Sequence, residues 1–289
     1  MDSRELGLVL AQQLLDIDDL HYGWWEADET PTLARLKDAQ ERYSQRVIEV
    51  VTEHCPTGGR VLDVGCGTGH LVEKLLDRGY EVDGVIPAPW LERRVRERIE
   101  RLQPAYEPEV FPCKFEEMPE SAAQRPYDVI LFSESFQYVP LDDSLPMCRK
   151  LLKNGGAVVL CDFFKTEHHG DGQPGDKSFG GGHKLARFYP ALDTHGFELV
   201  RDDDITRFIS PSVALVDELL RERIGPACGA IDTYVSERVP RIRRFFAWLF
   251  RKKLNKLQYK YLSDNRTQGV FERYKSYRLS VFRPVDSAS

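Results

Sequence analysis

Several protein classes are excluded by what this 289-residue sequence does not contain. Its six cysteines (Cys55, Cys66, Cys113, Cys148, Cys161 and Cys228) are scattered, with no CxxC and no other metal-ligand spacing, so a cysteine-built metal module is not expected. No apolar run approaches the roughly 20 residues needed to cross a bilayer. The start, MDSRELGLVLAQQLLDIDDL, carries acids where a secretory signal needs a basic region and an unbroken apolar stretch. A cytoplasmic protein with reduced thiols is the expectation. Internal repeats and long low-complexity tracts are missing as well. Nor is there a large excess of one charge: 40 Lys and Arg against 46 Asp and Glu leave −6. The whole chain therefore offers no electrostatic case for nucleic acid as a partner.

What is present suits a soluble protein with a core: 42% of residues are hydrophobic and 30% charged. Residues 3–20 and 33–54 carry apolar side chains at helical spacing, with Leu36, Tyr43, Val47, Val50 and Val51 marking one face of the second. Between them lies an aromatic loop, HYGWWEADETPT, from His21 to Thr32. Strand and helix patterns then alternate. Strands are expected at Arg60–Val64, Glu81–Ile86, Val110–Cys113, Tyr127–Phe132 and Ala157–Asp162. Helices are expected at HLVEKLLDRG, at WLERRVRERIERL and at Leu145–Lys153, the last ended by Asn154-Gly155-Gly156. Apolar strands separated by helices imply a doubly wound α/β fold, a mainly parallel sheet covered on both faces, with ligands at the carboxyl ends of the strands. After Asp162 comes a polar loop rich in glycine and histidine, FFKTEHHGDGQPGDKSFGGGH. ARFYPALDTHG and FELVRDDDITRFI read as a closing helix and strand, and from about Ser212 the chain turns helical before RYKSYRLSVFR returns as a strand. The expected units are a helical cap at 1–54, a sheet domain at 55–211 and a second cap or lid at 212–289 that returns to the sheet.

Asp63-Val64-Gly65-Cys66-Gly67-Thr68-Gly69 sits where a strand must turn sharply into a helix. Glycines there allow positive φ and close approach of a ligand to the backbone. Amides at the helix start face a ligand's carboxylate, while Asp63 orders the turn or meets an ammonium group. In this context RVLDVGCGTGHLVEKLLDRGYEVDGV resembles the first signature of class I methyltransferases that use S-adenosylmethionine (SAM). The similarity of pattern runs from about Arg60 to Ile209 and includes YDVILFSESFQYV and LLKNGGAVVL. The resemblance implies a seven-stranded Rossmann-like sheet and SAM as cofactor, held at Asp63, Gly65, Cys66, Gly67 and Gly69. It also implies that Ser133, Glu134, Ser135 and Gln137, after the fourth strand, face the reaction centre. A nicotinamide site fits less well, because its fingerprint is GxGxxG with an acid some twenty residues on.

Two positions depart from that family. Its acid at the end of the second strand, which binds the ribose hydroxyls, is replaced by Ile86 in EVDGVIPAPW, and Asp83 stands three residues too early. This segment is similar to the GVTLSP-type stretch of the tocopherol, sterol and cyclopropane-lipid methyltransferases, which also lack the acid. Near the expected adenine site the chain reads FPCKFEEMP, with Lys114 in place of an Asp. Glu116 or Glu117 then substitutes, or Phe115 stacks on the base. An ordinary SAM site with altered contacts is preferred over a catalytically silent relative, which would bind a ligand, partner or membrane surface through the old pocket, and over altered cofactor chemistry.

For the acceptor, Glu134, Tyr22 and His21 are the candidate proton acceptors, and Trp24, Trp25, Gln137, Tyr138, His168 and His169 the candidate acceptor contacts. HYGWW is similar to a HYGYW-like segment of the tocopherol and sterol group. Trp24 and Trp25 either wall an apolar pocket beside a sulfonium or pin the N-terminal helix. His168, His169, Asp171, Asp176 and His183 match no compact ligand set, so no metal is assigned. Arg241 to Tyr261 contains eight basic residues and no acid, with apolar residues at helical spacing. Such a helix is either a lid with a core-facing stripe or a surface for peripheral contact with an anionic inner membrane face. The expected reaction is methyl transfer to a small lipophilic acceptor, prenyl, sterol, quinone or lipid-like, at carbon, nitrogen or oxygen.

Overall fold

The computed structural model describes residues 21–252 and 264–285, together with Glu5, Leu8, Val9, Gln12, Gln13 and Ile17. Most of the helix expected at 3–20, and residues 253–261 of the basic stretch, lie outside the described residues. Seven strands form one sheet: β1 Arg60–Val64, β2 Glu81–Val85, β3 Val110–Phe111, β4 Tyr127–Ser133, β5 Leu152–Lys165, β6 Phe197–Asp204 and β7 Lys275–Pro284. Their order is β3-β2-β1-β4-β5-β7-β6. The first five are parallel, and β7 runs antiparallel between β5 and β6.

Every residue of β1 is buried, Arg60 and Asp63 included, as expected of a central strand when both faces of a sheet are covered. On one face pack Tyr43, Val47 and Val51 of the helix Leu36–His54, Leu71 and Leu75 of His70–Leu76, and Val95 of Pro89–Leu102. On the other pack Leu145, Cys148 and Leu151 of Leu141–Leu151, and Phe188 and Leu192 of Leu185–Thr194. The chain walks outward from β1 to β3, then crosses back to β4. That reversal between β1 and β4 opens a crevice at their carboxyl ends.

Two local expectations need correction. Asn154-Gly155-Gly156 does not end a helix but lies inside β5, where the β4 pairing shifts register and Gly155 adopts φ +76. The strand expected through Phe197–Ile209 stops at Asp204, and Thr206–Ile209 is helical. There the Asp204 carboxylate accepts the Thr206 amide at 3.0 Å and its hydroxyl, tying off the strand. The helices Pro211–Glu218, Gly225–Arg238 and Pro240–Leu249, with a π-helical segment at Leu219–Ile224, come before β7. No helix among the described residues is long and apolar enough to cross a membrane.

Candidate active site

The turn after β1 is built as its glycines demand. Gly65, Gly67 and Gly69 all adopt positive φ, at +75, +56 and +85. The amides of Gly65 and Cys66 bond the Val85 carbonyl at 2.8 and 3.3 Å, tying the turn to the end of β2. A Cβ on Gly65 would lie 2.5 Å from the Cβ of Ser135, so this glycine lets the β4 loop approach the turn closely. Cys66 is buried beneath the turn, with its sulfur against Gly84 of β2. Ile86 lies just beyond β2, 5% exposed, its amide bonded to the Phe111 carbonyl at 3.0 Å.

Asp83 is excluded from this edge for a physical reason. Its buried carboxylate is paired with Arg60 and accepts the hydroxyls of Tyr106 at 2.8 Å and Tyr127 at 2.9 Å and the Glu109 amide at 2.8 Å. A fully buried charge needs such partners, and here they fix it in the interior of β2.

Glu134 follows β4 directly and is bonded from two distant segments. It adopts φ +54, and among the described non-glycine residues only Gln103 shares a positive φ. Its Oε1 accepts the Tyr22 amide at 3.0 Å and the Tyr277 hydroxyl at 2.7 Å. Tyr43 links onward, with its hydroxyl 3.1 Å from that of Tyr277 and 3.0 Å from Oγ of Ser133. Burial, followed by the Glu134 carboxylate, raises the Tyr22 phenol well above its ordinary range, which makes it a poor proton acceptor near neutrality. His21 stacks on Tyr43 at 4.8 Å, with Nδ1 2.8 Å from the Tyr22 carbonyl.

Next to Glu134, the amide and side-chain nitrogen of Gln137 donate to the two oxygens of Asp162 at 3.0 and 3.1 Å. Asp162, three residues before the end of β5, has its carboxyl pushed up to about 7 by burial. Lys275, the first residue of β7 and the register partner of Lys165, is pushed down to about 7, again by burial, and donates to the Gly181 carbonyl at 2.7 Å. That bond holds the glycine-rich loop against the sheet edge. The loop also docks through His183, whose Nε2 lies 3.1 and 3.0 Å from the carbonyls of Phe136 and Val139.

Other expected site residues stand elsewhere. Trp24 and Trp25 do not line an open wall. Trp24 stacks on Phe208 at 4.6 Å, and Trp25 is 1% exposed with its indole N–H donated to Ser212 at 2.9 Å. They pin the aromatic loop to the helices around Phe208 and Ser212, because two large rings gain most by full burial. Phe115 is a core ring, 2% exposed and edge-on to Phe132 at 5.2 Å, so it offers no free face for stacking on a base. Glu116 beside it is half-buried, while Lys114 pairs with Glu117 at 3.3 Å at the surface. Tyr138 is exposed at the rim. His168 is exposed beside Glu167, and His169, half-buried, bonds Thr166 through its amide. Neither histidine is bonded to the Glu134 group. Among the described residues, no cluster of three or more His, Cys, Asp or Glu is placed to hold a metal ion.

A family model described as a methyltransferase domain matches residues 35–200, more than half of the chain. The chain belongs to this methyltransferase family. Among curated proteins, the methyltransferase is 29% identical over 190 residues to the mitochondrial ubiquinone biosynthesis O-methyltransferase of Homo sapiens, covering 58% of this chain and 45% of that protein. A ubiquinone biosynthesis O-methyltransferase of Nitrosococcus oceani is 30% identical over 158 residues, covering 53% and 62%. The chain thus spans about half the length of the curated relatives it matches. Among solved structures, geranyl diphosphate C-methyltransferase from Streptomyces coelicolor A3(2), in complex with Mg2+, geranyl-S-thiolodiphosphate and S-adenosyl-L-homocysteine, superimposes with a TM-score of 0.66. It is 16% identical, and 96% of this chain and 92% of that one are covered. At that identity the match shows the Rossmann-like methyltransferase fold.

Residues that the sequence pattern does not single out meet around Glu134 and Asp162. Asp162 ended a recognised strand, and an acid closing an apolar run was a usable signal. Tyr43 was marked only as part of a helix face. Tyr277 and Lys275 carried no signal, because nothing local tells that the last strand inserts beside β5.

Proposed function

We propose that this methyltransferase moves a methyl group from SAM to a small lipophilic acceptor, prenyl, sterol, quinone or lipid-like, at carbon, nitrogen or oxygen. The observation that carries the reading is the positive-φ turn at Gly65, Gly67 and Gly69, lying against Ser135 and so beside Glu134 at the β1–β4 crevice. Three left-handed glycines in one short turn leave backbone and no side chain facing the crevice, which suits the amino-acid end of SAM. Asp63, Gly65, Cys66, Gly67 and Gly69 would hold that end, with Ser133 and Ile86 along the adjoining strand ends and Glu116 toward the base. Ile86 offers the ribose an apolar contact in place of an acid's grip, since Asp83 is committed to Arg60. SAM supplies an activated methyl on a positively charged sulfur. The chain's own part is to align the acceptor, exclude water and take a proton where the acceptor has one to lose. Glu134 would take that proton, with Tyr22 and Gln137 beside it and His21 behind.

The curated relatives act in ubiquinone biosynthesis and the structural neighbour on geranyl diphosphate, by their names; both support an acceptor with an isoprenoid or quinone part. A peripheral membrane contact is supported by the basic stretch from Arg241 and by exposed Ile231, Tyr234, Trp248 and Leu249 on the helices before β7. Such a contact presents a lipophilic acceptor from a bilayer surface.

Calorimetric titration with SAM and S-adenosylhomocysteine tests the site, and release of S-adenosylhomocysteine in the presence of prenylated phenols or quinols tests the reaction. Micromolar binding of both ligands, lost in a folded Gly67→Arg variant, is expected. Binding without turnover of any acceptor would instead identify a silent relative, and retained binding by Gly67→Arg would refute the site.

A further inference from the structure

We infer that Tyr277 is a positioning residue that holds the Glu134 carboxylate at the point of methyl transfer, in concert with the backbone of Tyr22. The inference rests on the SAM reading of the crevice. Four distant segments meet here: the aromatic loop at Tyr22, the helix at Tyr43, the β4 loop at Glu134 and the last strand at Tyr277. A glutamate at φ +54 persists only where its surroundings over-determine it. The surroundings are the two donors on Oε1, at 3.0 and 2.7 Å, and the Glu134 amide bonded to the Cys161 carbonyl at 2.8 Å. Tyr43 completes a chain of hydroxyls from Tyr277 to Ser133, and the ionised Glu134 carboxylate, which can only accept, makes the Tyr277 hydroxyl its donor.

The chemistry follows from those bonds. For an acceptor with an O–H or N–H, the heteroatom forms its bond to the methyl carbon as the carbon–sulfur bond breaks. The electron pair of that broken bond stays on sulfur, and the acceptor's proton passes to the Glu134 carboxylate. Hydrogen bonds donated to a carboxylate stabilise its ionised form, so Tyr277 and the Tyr22 amide keep Glu134 ready to accept that proton. The titratable groups around Glu134 include Tyr22, Tyr43 and Tyr277, and Cys161 and Asp162 on β5; Arg266 and Tyr138 act on Tyr22, and Lys275 on β7 acts on Asp162. Asp162 and Lys275 titrate near neutrality, so the test must also remove Glu134 itself.

The experiment compares affinities for SAM and S-adenosylhomocysteine from about pH 3.5 to about pH 9 by calorimetry, a range that reaches below the ordinary titration of a glutamate at about 4.3. The two ligands share amino and carboxylate groups and differ in the positive charge on sulfur. An ionised carboxylate at the transfer point therefore favours SAM, and the affinity ratio falls where Glu134 takes up its proton. In Tyr277→Phe, which keeps the ring, that fall is expected to move to higher pH by about one unit or more, the size of one lost bond to a charged group. Glu134→Gln should abolish the fall. If Tyr277→Phe does not fold, Tyr43→Phe carries the test, with a smaller shift in the same direction expected and no shift overturning the proposal. A Tyr277→Phe profile that overlies the parent, or a fall that survives in Glu134→Gln, overturns it as well. Failure of the parent protein to bind either ligand would instead remove the SAM reading on which the proposal stands.

Discussion

Gly65→Ala puts a methyl group where the structure has no room for one. The residue adopts φ +75, and left-handed backbone costs an ordinary residue about 1–2 kcal/mol. The new Cβ would lie 2.5 Å from Cβ and 3.2 Å from Oγ of Ser135, well inside the roughly 3.5–4.0 Å optimum between carbon atoms. Ser135 cannot simply swing aside, because its hydroxyl is donated to the Val64 carbonyl. Overpacking of this kind costs about 1–3 kcal/mol, so the total is about 2–5 kcal/mol against a typical stability of about 5–15 kcal/mol. The variant is expected to fold, with its melting temperature lowered by about 4–20 °C at roughly 2–4 °C per kcal/mol. It is also expected to bind SAM at least about tenfold more weakly, since relieving the contact moves the turn away from the β4 loop. Gly79→Ala is the matched control. That glycine has φ +82 but nothing within 4 Å of the added Cβ, so only the strain of about 1–2 kcal/mol should appear, with SAM affinity unchanged. Thermal melts and SAM calorimetry on both variants decide the matter. Equal effects of the two substitutions, or parental SAM affinity in Gly65→Ala, would refute the close approach of turn and loop as the basis of the site.

Three further outcomes follow from the packing and charges. Trp25→Ala should cost about 3–5 kcal/mol in urea unfolding, because a ring 1% exposed leaves a cavity and takes one hydrogen bond from Ser212, which keeps those to Gly23; a loss below about 1 kcal/mol would mean the ring is not a pin. Asp83→Asn should destabilise by about 3–5 kcal/mol by leaving Arg60 poorly matched, yet leave SAM affinity unchanged below the melting range; a large fall in affinity would return Asp83 to the cofactor site. Asp162 has its folded-state pKa raised to about 7 from 3.8, so between pH 4 and pH 7 the folded state binds the extra proton and stability falls as pH rises. Each unit in that window costs up to about 1.4 kcal/mol, and urea midpoints of Asp162→Asn should lack this slope; an identical slope would show that burial is not perturbing Asp162.

The parts of the fold that were legible along the chain are those governed by neighbours in sequence. The RVLDV strand and the glycine turn follow from side-chain size and backbone sterics over a handful of residues, and the structure keeps both. Local pattern misled where a competing contact won. Asn154-Gly155-Gly156 looked like a helix stop but became a bulge inside a long strand, and Asp204 ended a strand whose apolar pattern ran on. The HYGWW segment was visible as unusual, but its indoles face the protein because Phe208 and Ser212, far along the chain, lie where they can cover them.

By itself, then, the sequence determined a parallel α/β sheet and a backbone turn open to a ligand, because periodicity and glycine sterics act over a few residues. It also contained Glu134 and placed it directly after a buried strand. Tertiary structure alone decided what Glu134 touches, since its partners stand 112 and 143 residues away in the chain. The insertion of β7 beside β5, which brings Tyr277 and Lys275 to the crevice, depends on strand order and register. Those are set by the packing of the whole sheet at once, and no window along the chain encodes them.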